Sequence, residues 1–402
     1  MNQLFSLVGL VTFIAIAWSC SVHPRRFPWR VVLGGLALQF VLAFAVLKTG
    51  PGRYLLAKLS DFFVSLLACT KAGSGFVFGD DLISLFAFGA LPTIIFFSSL
   101  MSILYHLGVM QRLVAGLAWV MRFTLGTSGT ETLAAAANVF VGHTEAPLVI
   151  RPYLSRMTRS ELVAMMTGGF ATVTGGLLGV YSEMGIDIGH LLTASIISAP
   201  AALLIAKVMV PETEVTSTDA EVVIERTEAN VIGAAVAGAS EGMKLAINVA
   251  AMLIAFLALI AMIDLFLGGL CRAIDWVDPT GEPRLTLGVM LSYVFAPIAY
   301  WLGVPAGECL EAGRLIGLKT VANEFIAYAD LAGNDQLSDR TKLLLTYALA
   351  GFSNLGAVGI MVGGVGTLAP DRRGDLARDG LRAMFGGLLG CLMTGAVVGA
   401  LV

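Results

Sequence analysis

Asn138-Val-Phe-Val-Gly-His-Thr-Glu145-Ala-Pro147 places an amide, an imidazole, a carboxylate and two backbone breakers inside otherwise apolar sequence. A carboxylate at the centre of a membrane helix costs on the order of 3 kcal/mol even on a lenient insertion scale, and a neutral Gln would avoid most of that cost. Glu145 therefore points to function. A second stretch, Thr320-Val-Ala-Asn-Glu324-Phe-Ile-Ala-Tyr328, has similar ingredients. Each is followed further along the chain by a Gly-rich apolar segment with polar residues: Thr167-Gly-Gly-Phe-Ala-Thr172-Val-Thr174-Gly-Gly176 and Gly351-Phe-Ser-Asn354-Leu-Gly-Ala-Val-Gly359. The order of parts reads as a degenerate internal repeat. Paired interrupted hydrophobic segments in two halves of a chain are the best sequence pointer to a transporter binding site.

Composition sets the class. Of 402 residues, 57% are hydrophobic and only 13% charged, with a mean hydropathy of +0.85. That is too apolar for a soluble domain, where charged residues approach a quarter, so the chain is read as an integral membrane protein. A net charge of -3 and the lack of a basic stripe argue against a nucleic-acid partner. The five cysteines are scattered, without metal or disulfide spacing, and read as small packing residues. Residues Met1 to Ser19 lack a basic leading region and a cleavage site, so they read as a first membrane helix.

Stretches of about 20 apolar residues, enough to cross roughly 30 Å of hydrocarbon, fall at 4–20, 31–48, 84–107, 161–184, 189–210, 245–270, 342–366 and 383–402. The fold class expected is all-α, with eight transmembrane helices. Residues 51–70, 108–125 and 287–304 look like helices lying in the interface. The stretches 129–155 and 306–331 read as re-entrant helical hairpins with polar tips, tolerated at depth only when buried in protein or lining a wet cavity. Arg25, Arg26 and Arg30, then Arg151, Arg156 and Arg159, then Arg372, Arg373, Arg378 and Arg382 fall on one side of an eight-span chain, which makes that side cytoplasmic and both termini external. The polar segment Pro211 to Asn230 is a cytoplasmic linker between the two repeats, and the repeats have opposite topology.

The tips set the chemistry. Carboxylate, amide and hydroxyl at Glu145, Thr144, Glu324 and Asn323, with the nearest cations Arg151 and Lys319 more than a turn away in sequence, suit a neutral ligand rich in hydroxyl and N–H groups. His143, beside Glu145, is a candidate ligand contact. The Gly-rich breaks predict unwound turns, whose freed carbonyls with Asn and Thr oxygens suit Na⁺. No His-Glu-x-x-His pair, Gly-x-Ser-x-Gly elbow or phosphate loop supports an enzyme.

Three segments carry a family resemblance: Ala135 to Pro147, Leu315-Ile-Gly-Leu-Lys319-Thr-Val-Ala-Asn-Glu324-Phe, and Gly351-Phe352-Ser-Asn354. Together they resemble the concentrative nucleoside transporters of bacterial type. The resemblance implies a homotrimer in the bacterial inner membrane, importing a nucleoside with co-transported sodium by an elevator motion. It implies scaffold elements in 1–107 and 231–272, transport repeats in 108–210 and 285–402, and the linker 211–230 between them. By the same resemblance, His143, Thr144 and Glu145 read the nucleobase with Leu177 nearby, Glu324 and Asn354 bind the ribose, and Phe352 lines the pocket. Sodium would sit at Asn138, Val141, Thr172 and Val173. Two positions depart from the family: it usually has Gln where His143 stands, and a Ser pair where this chain has Gly356-Ala357. The alternatives are a proton-coupled nucleoside transporter and a membrane enzyme acting on a nucleotide-like substrate.

Overall fold

The computed structural model describes residues 2–143, 145–214, 228–278 and 280–402, the side chains at 84 and 86 excepted. Most of the linker expected at 211–230, and Thr144, lie outside the described residues. The chain opens with helices α1 (Asn2–Ser19), α2 (Trp29–Lys48), α3 (Gly50–Phe78), α4 (Phe86–His106) and α5 (Val109–Leu125). Next come α6 (Gly129–Asn138), α7 (Ala146–Val149), α8 (Arg159–Ala171), α9 (Gly175–Glu183) and α10 (Ile188–Met209). The second half holds α11 (Val231–Ala273), α12 (Leu287–Leu302), α13 (Cys309–Val321), α14 (Glu324–Ala332), α15 (Asp339–Leu349), α16 (Leu355–Leu368) and α17 (Arg373–Leu401). The fold is all-α, with one isolated bridge between Val277 and Pro283 among the described residues.

Seven helical segments are long and apolar enough to cross a membrane among the described residues, where the sequence suggests eight. The difference is the stretch 342–366, which forms two helices, α15 and α16, on either side of 350–354. Gly351 sits at φ 151°, which side chains rarely adopt. Asn354 then starts α16 by accepting the Ala357 N–H at 2.9 Å. The 161–184 stretch is broken in the same manner, with Thr174 accepting the Leu177 N–H at 3.3 Å to start α9. Both interruptions fall in the Gly-rich segments.

The two breaks pack on each other. A Cβ on Gly351 would lie 2.7 Å from the Phe170 carbonyl oxygen and 2.9 Å from the Ala171 carbonyl carbon, at the end of α8. Around this meeting point α8, α9, α10 and most of α17 are buried, whereas the apolar surface of α11 faces outward at Ile254, Leu257, Leu265 and Phe266. A helix apolar on its outer surface fits a lipid-facing position.

α11 begins well before the expected span 245–270. Its early turns hold Gly238, Gly242 and Ala246 on one buried face, and a Cβ on Gly238 or Gly242 would strike the α4 backbone at 2.6 or 2.7 Å. Small residues at this spacing let two helices approach closely and here extend the helix rather than end it. At about 1.5 Å per residue its 43 residues cover about 65 Å, roughly twice the hydrocarbon thickness. Helices also form at the three stretches read as interfacial, α3, α5 and α12. On α5 the buried residues Met110, Val114, Met121 and Leu125 keep helical spacing.

The foot of the first hairpin is fastened by buried charge. Ser128 and Thr158 open α6 and α8 with capping boxes to Glu131 and Glu161. Lys207, near the end of α10, pairs with Glu131 at 2.6 Å and donates to Ser160 at 2.9 Å, all three being buried. α6, α8 and α10 are thereby held together.

Candidate functional site

α6 ends at Asn138, and the chain turns through 139–145 into the single turn of α7. The turn is closed by bonds from the Val141 N–H to the Ala137 carbonyl at 3.0 Å and from the Gly142 N–H to Glu145 Oε2 at 3.3 Å. The Gly175 N–H donates to the Phe140 carbonyl at 3.1 Å, tying this tip to the start of α9.

Four elements converge on one polar cluster. Glu324, the first residue of α14 and 4% exposed, accepts the Tyr181 hydroxyl at 3.0 Å on Oε1 and the Asn354 amide at 3.1 Å on Oε2. Asn323 caps α14 by accepting the Ile326 N–H at 2.9 Å. Asn354 has a double duty, since its amide nitrogen serves Glu324 while its oxygen caps α16. Phe352, two residues earlier in the same break, packs on the His143 ring with centroids 4.9 Å apart, and Phe170 lies 6.3 Å from that ring on α8. The second break therefore joins the first tip, through Phe352 and His143, to the second tip, through Asn354 and Glu324.

His143 is 8% exposed, and neither ring nitrogen has a hydrogen-bond partner among the described residues. An imidazole between two phenyl rings with both nitrogens free is ready to meet a donor or acceptor on a ligand. Glu145 stands apart from Glu324. Its exposed side chain opens on a cavity of about 810 Å³, which Ser98, Tyr105, Gln111, Thr174 and Glu241 also line and Glu324 does not. Leu177 is buried in α9, one turn before Tyr181.

Asn138 is 1% exposed, and both atoms of its amide lack a partner among the described residues. Its nitrogen lies 3.3 Å from where a Cβ of Gly168 would be, so a glycine on α8 makes room for it. Thr172, at the end of α8, donates to the Gly168 carbonyl at 2.9 Å, and the Val173 N–H donates to Ser195 Oγ at 3.4 Å. A buried amide left unpaired is costly in protein; a hard cation beside Asn138 would satisfy its oxygen. Among the described residues no three His, Cys, Asp or Glu stand together, so such a cation would be held by neutral oxygens from the Asn138–Val141 tip and the Thr172–Val173 break.

Tyr181 was not singled out by sequence reasoning, although it lies on the same face of α9 as Leu177 by the four-residue spacing that could have found it. Lys319, set aside as distant from the carboxylates, is wholly buried.

Comparison with known proteins agrees with the layout. Residues 190–399 match a model described as Na⁺ dependent nucleoside transporter C-terminus, residues 8–81 its N-terminal counterpart, and residues 87–187 a model for nucleoside recognition. The solved structure of CNTnw in an inward-facing substrate-bound state is 42% identical with a TM-score of 0.93, covering 100% of this chain and 98% of that one. A doubly substituted CNTnw in an outward-facing state gives the same TM-score and identity over 100% and 97%. Sodium/nucleoside cotransporter 1 of Rattus norvegicus is 43% identical over 420 aligned residues, which take in all of this chain and 64% of that protein. Solute carrier family 28 member 3 of Eptatretus stoutii is 41% identical, with 61% of its length covered. The chain thus spans less than two thirds of the length of these animal relatives.

Proposed function

Because the chain belongs to the family of Na⁺-dependent nucleoside transporters, we propose that it imports nucleosides in symport with sodium by alternating access. The observation that carries this reading is the Tyr181–Glu324–Asn354 cluster, joined through Phe352 to His143. A buried carboxylate held in place by two donors keeps lone pairs free for sugar hydroxyls, and a ring nitrogen between aromatic faces suits the edge of a base. Glu324 and Asn354 would bind the ribose. His143, with Thr144 and Glu145, would bind the base, Leu177 and Phe352 giving it apolar walls.

Sodium enters as a second substrate at Asn138, Val141, Thr172 and Val173. Bound there, it would draw the first tip against the end of α8 and so hold His143 against Phe352, since Asn138 and His143 belong to one turn. Affinity for the nucleoside then depends on sodium, as symport requires. The relatives are cotransporters by name, which removes the membrane-enzyme alternative. A homotrimer of elevator type, seated in the lipid of a bacterial inner membrane, completes the reading.

Uptake of labelled uridine into proteoliposomes, with an inward Na⁺ gradient or with a pH gradient alone, tests it. Accumulation that follows Na⁺ supports sodium symport; accumulation that ignores Na⁺ and follows the pH gradient replaces it by the proton-coupled alternative.

A further inference from the structure

The break between α8 and α9 takes in residues 172–174, where the backbone has left the helical ladder and its N–H groups need other acceptors. Two hydrogens there have found theirs. The Thr172 hydroxyl donates back to the Gly168 carbonyl at 2.9 Å, and the Val173 N–H donates across to Ser195 Oγ on α10 at 3.4 Å. Thr172, Val173 and Ser195 are all buried, so neither bond is made in bulk water.

A cage for a hard cation must present lone pairs and no hydrogens. A peptide unit is planar and trans, so its N–H and C=O point in opposite directions, and the Val173 N–H shares one such unit with the Thr172 carbonyl. Holding that N–H on Ser195 turns the Thr172 carbonyl away from Ser195. The Thr172 hydroxyl is set in a similar way, since its hydrogen lies on Gly168 and its lone pairs are left over. Gly168 is also the residue whose missing Cβ makes room for the Asn138 amide, and Thr172 follows it by one helical turn on the same face. Ser195 is not itself a ligand, because the N–H it accepts places positive charge on its side of the break.

We propose that Ser195 is a positioning residue of the sodium site: by holding the Val173 N–H it aims the Thr172 carbonyl and presets the break for the cation. α10 then braces the first hairpin unit at two levels, through Lys207 on Glu131 at the foot and through Ser195 on Val173 at the break. The inference rests on the reading of the sodium site above.

The test follows melting temperature and uridine affinity of the purified full chain as Na⁺ replaces choline at constant ionic strength. Ser195→Ala removes the acceptor, Ser195→Cys leaves a weaker one, and Ser195→Thr keeps the hydroxyl. Loss of one neutral hydrogen bond is expected to raise the Na⁺ concentration for half-maximal uridine binding by a factor of about 2 to 12 in Ser195→Ala, with a smaller shift in Ser195→Cys and the smallest in Ser195→Thr. The rise in melting temperature on adding Na⁺ should shrink in the same order, since a ligand stabilises in proportion to how far it exceeds its dissociation constant. If Ser195→Ala fails to fold, Ser195→Cys against Ser195→Thr gives the same reading. A serine that only supports the fold would lower the melting temperature equally in Na⁺ and in choline and leave the Na⁺ response of binding as in the wild type; that result overturns this inference alone. A wild type whose melting and uridine binding both ignore Na⁺ overturns the sodium reading and this inference with it.

Discussion

The Tyr181 hydroxyl donates to Glu324 Oε1 at 3.0 Å across 143 residues of sequence. Tyr181 follows the first helix break and Glu324 opens the second arm of the second hairpin, so one hydrogen bond joins the two interrupted units of the chain. Tyr328 packs on the same ring with centroids 4.8 Å apart and donates its own hydroxyl to the Thr346 carbonyl at 2.7 Å, which fixes the height of the pair. The orientation of the carboxylate is therefore set by the fold itself.

Tyr181→Phe removes one donor to a carboxylate, a loss of about 1.5 kcal/mol or more, and should weaken uridine binding roughly tenfold while the protein stays folded. Equilibrium binding on the purified variant checks this. Unchanged affinity would mean that Asn354 alone orients Glu324.

Glu324→Gln replaces an acceptor of two donors by an amide that must turn an N–H towards Tyr181 or Asn354. Glu145→Gln removes the charged acceptor facing the cavity. Each should abolish or severely reduce uridine uptake at near-normal expression, because hydrogen bonds to a charged group contribute about 1.5 to 3 kcal/mol. Full uptake by either variant takes that residue out of the binding site.

His143→Gln should change the ranking of bases, since an amide offers its donor and acceptor in a different geometry from an imidazole. Competition of a nucleoside panel against labelled uridine reads this directly. An identical ranking in wild type and variant would make His143 a packing partner of Phe170 and Phe352 only.

Gly351→Ala should destabilise the fold. Its φ of 151° strains any side chain, and the new Cβ would lie 2.7 Å from Cys391 Sγ and from the Phe170 carbonyl oxygen. Backbone strain of this kind costs about 1 to 3 kcal/mol, to be seen as a lower melting temperature. An unchanged melting temperature would mean that the two breaks can part without loss.

Much of this was legible in the chain. The Glu145 and Glu324 stretches announce themselves because a carboxylate in apolar sequence has few uses, and the Gly-rich segments mark both breaks because Thr174 and Asn354 stand ready to cap α9 and α16. The hidden part is tertiary. The stretch 342–366 has the hydropathy of a span, so the sequence marks its break without showing that Gly351 there packs on Phe170 and Ala171. The turns of α11 before residue 245 lie outside the expected span, and the close approach of Gly238 and Gly242 to α4 that extends the helix there is visible only in the fold. The spacing from Leu177 marks the face of α9 that Tyr181 shares, but that its hydroxyl meets Glu324, 143 residues on, is set by the fold.

The central claim is that sodium at the first tip and break organises a nucleoside site completed by the second. It is tested most directly by uridine binding as a function of Na⁺ in wild type and in Asn138→Ala. The account predicts that Na⁺ tightens uridine binding by a factor of about 5 to 150, that uridine tightens Na⁺ binding by the same factor, and that Asn138→Ala shifts the Na⁺ dependence to higher concentration. Uridine affinity indifferent to Na⁺ in the wild type, or a Na⁺ dependence untouched by Asn138→Ala, would contradict it.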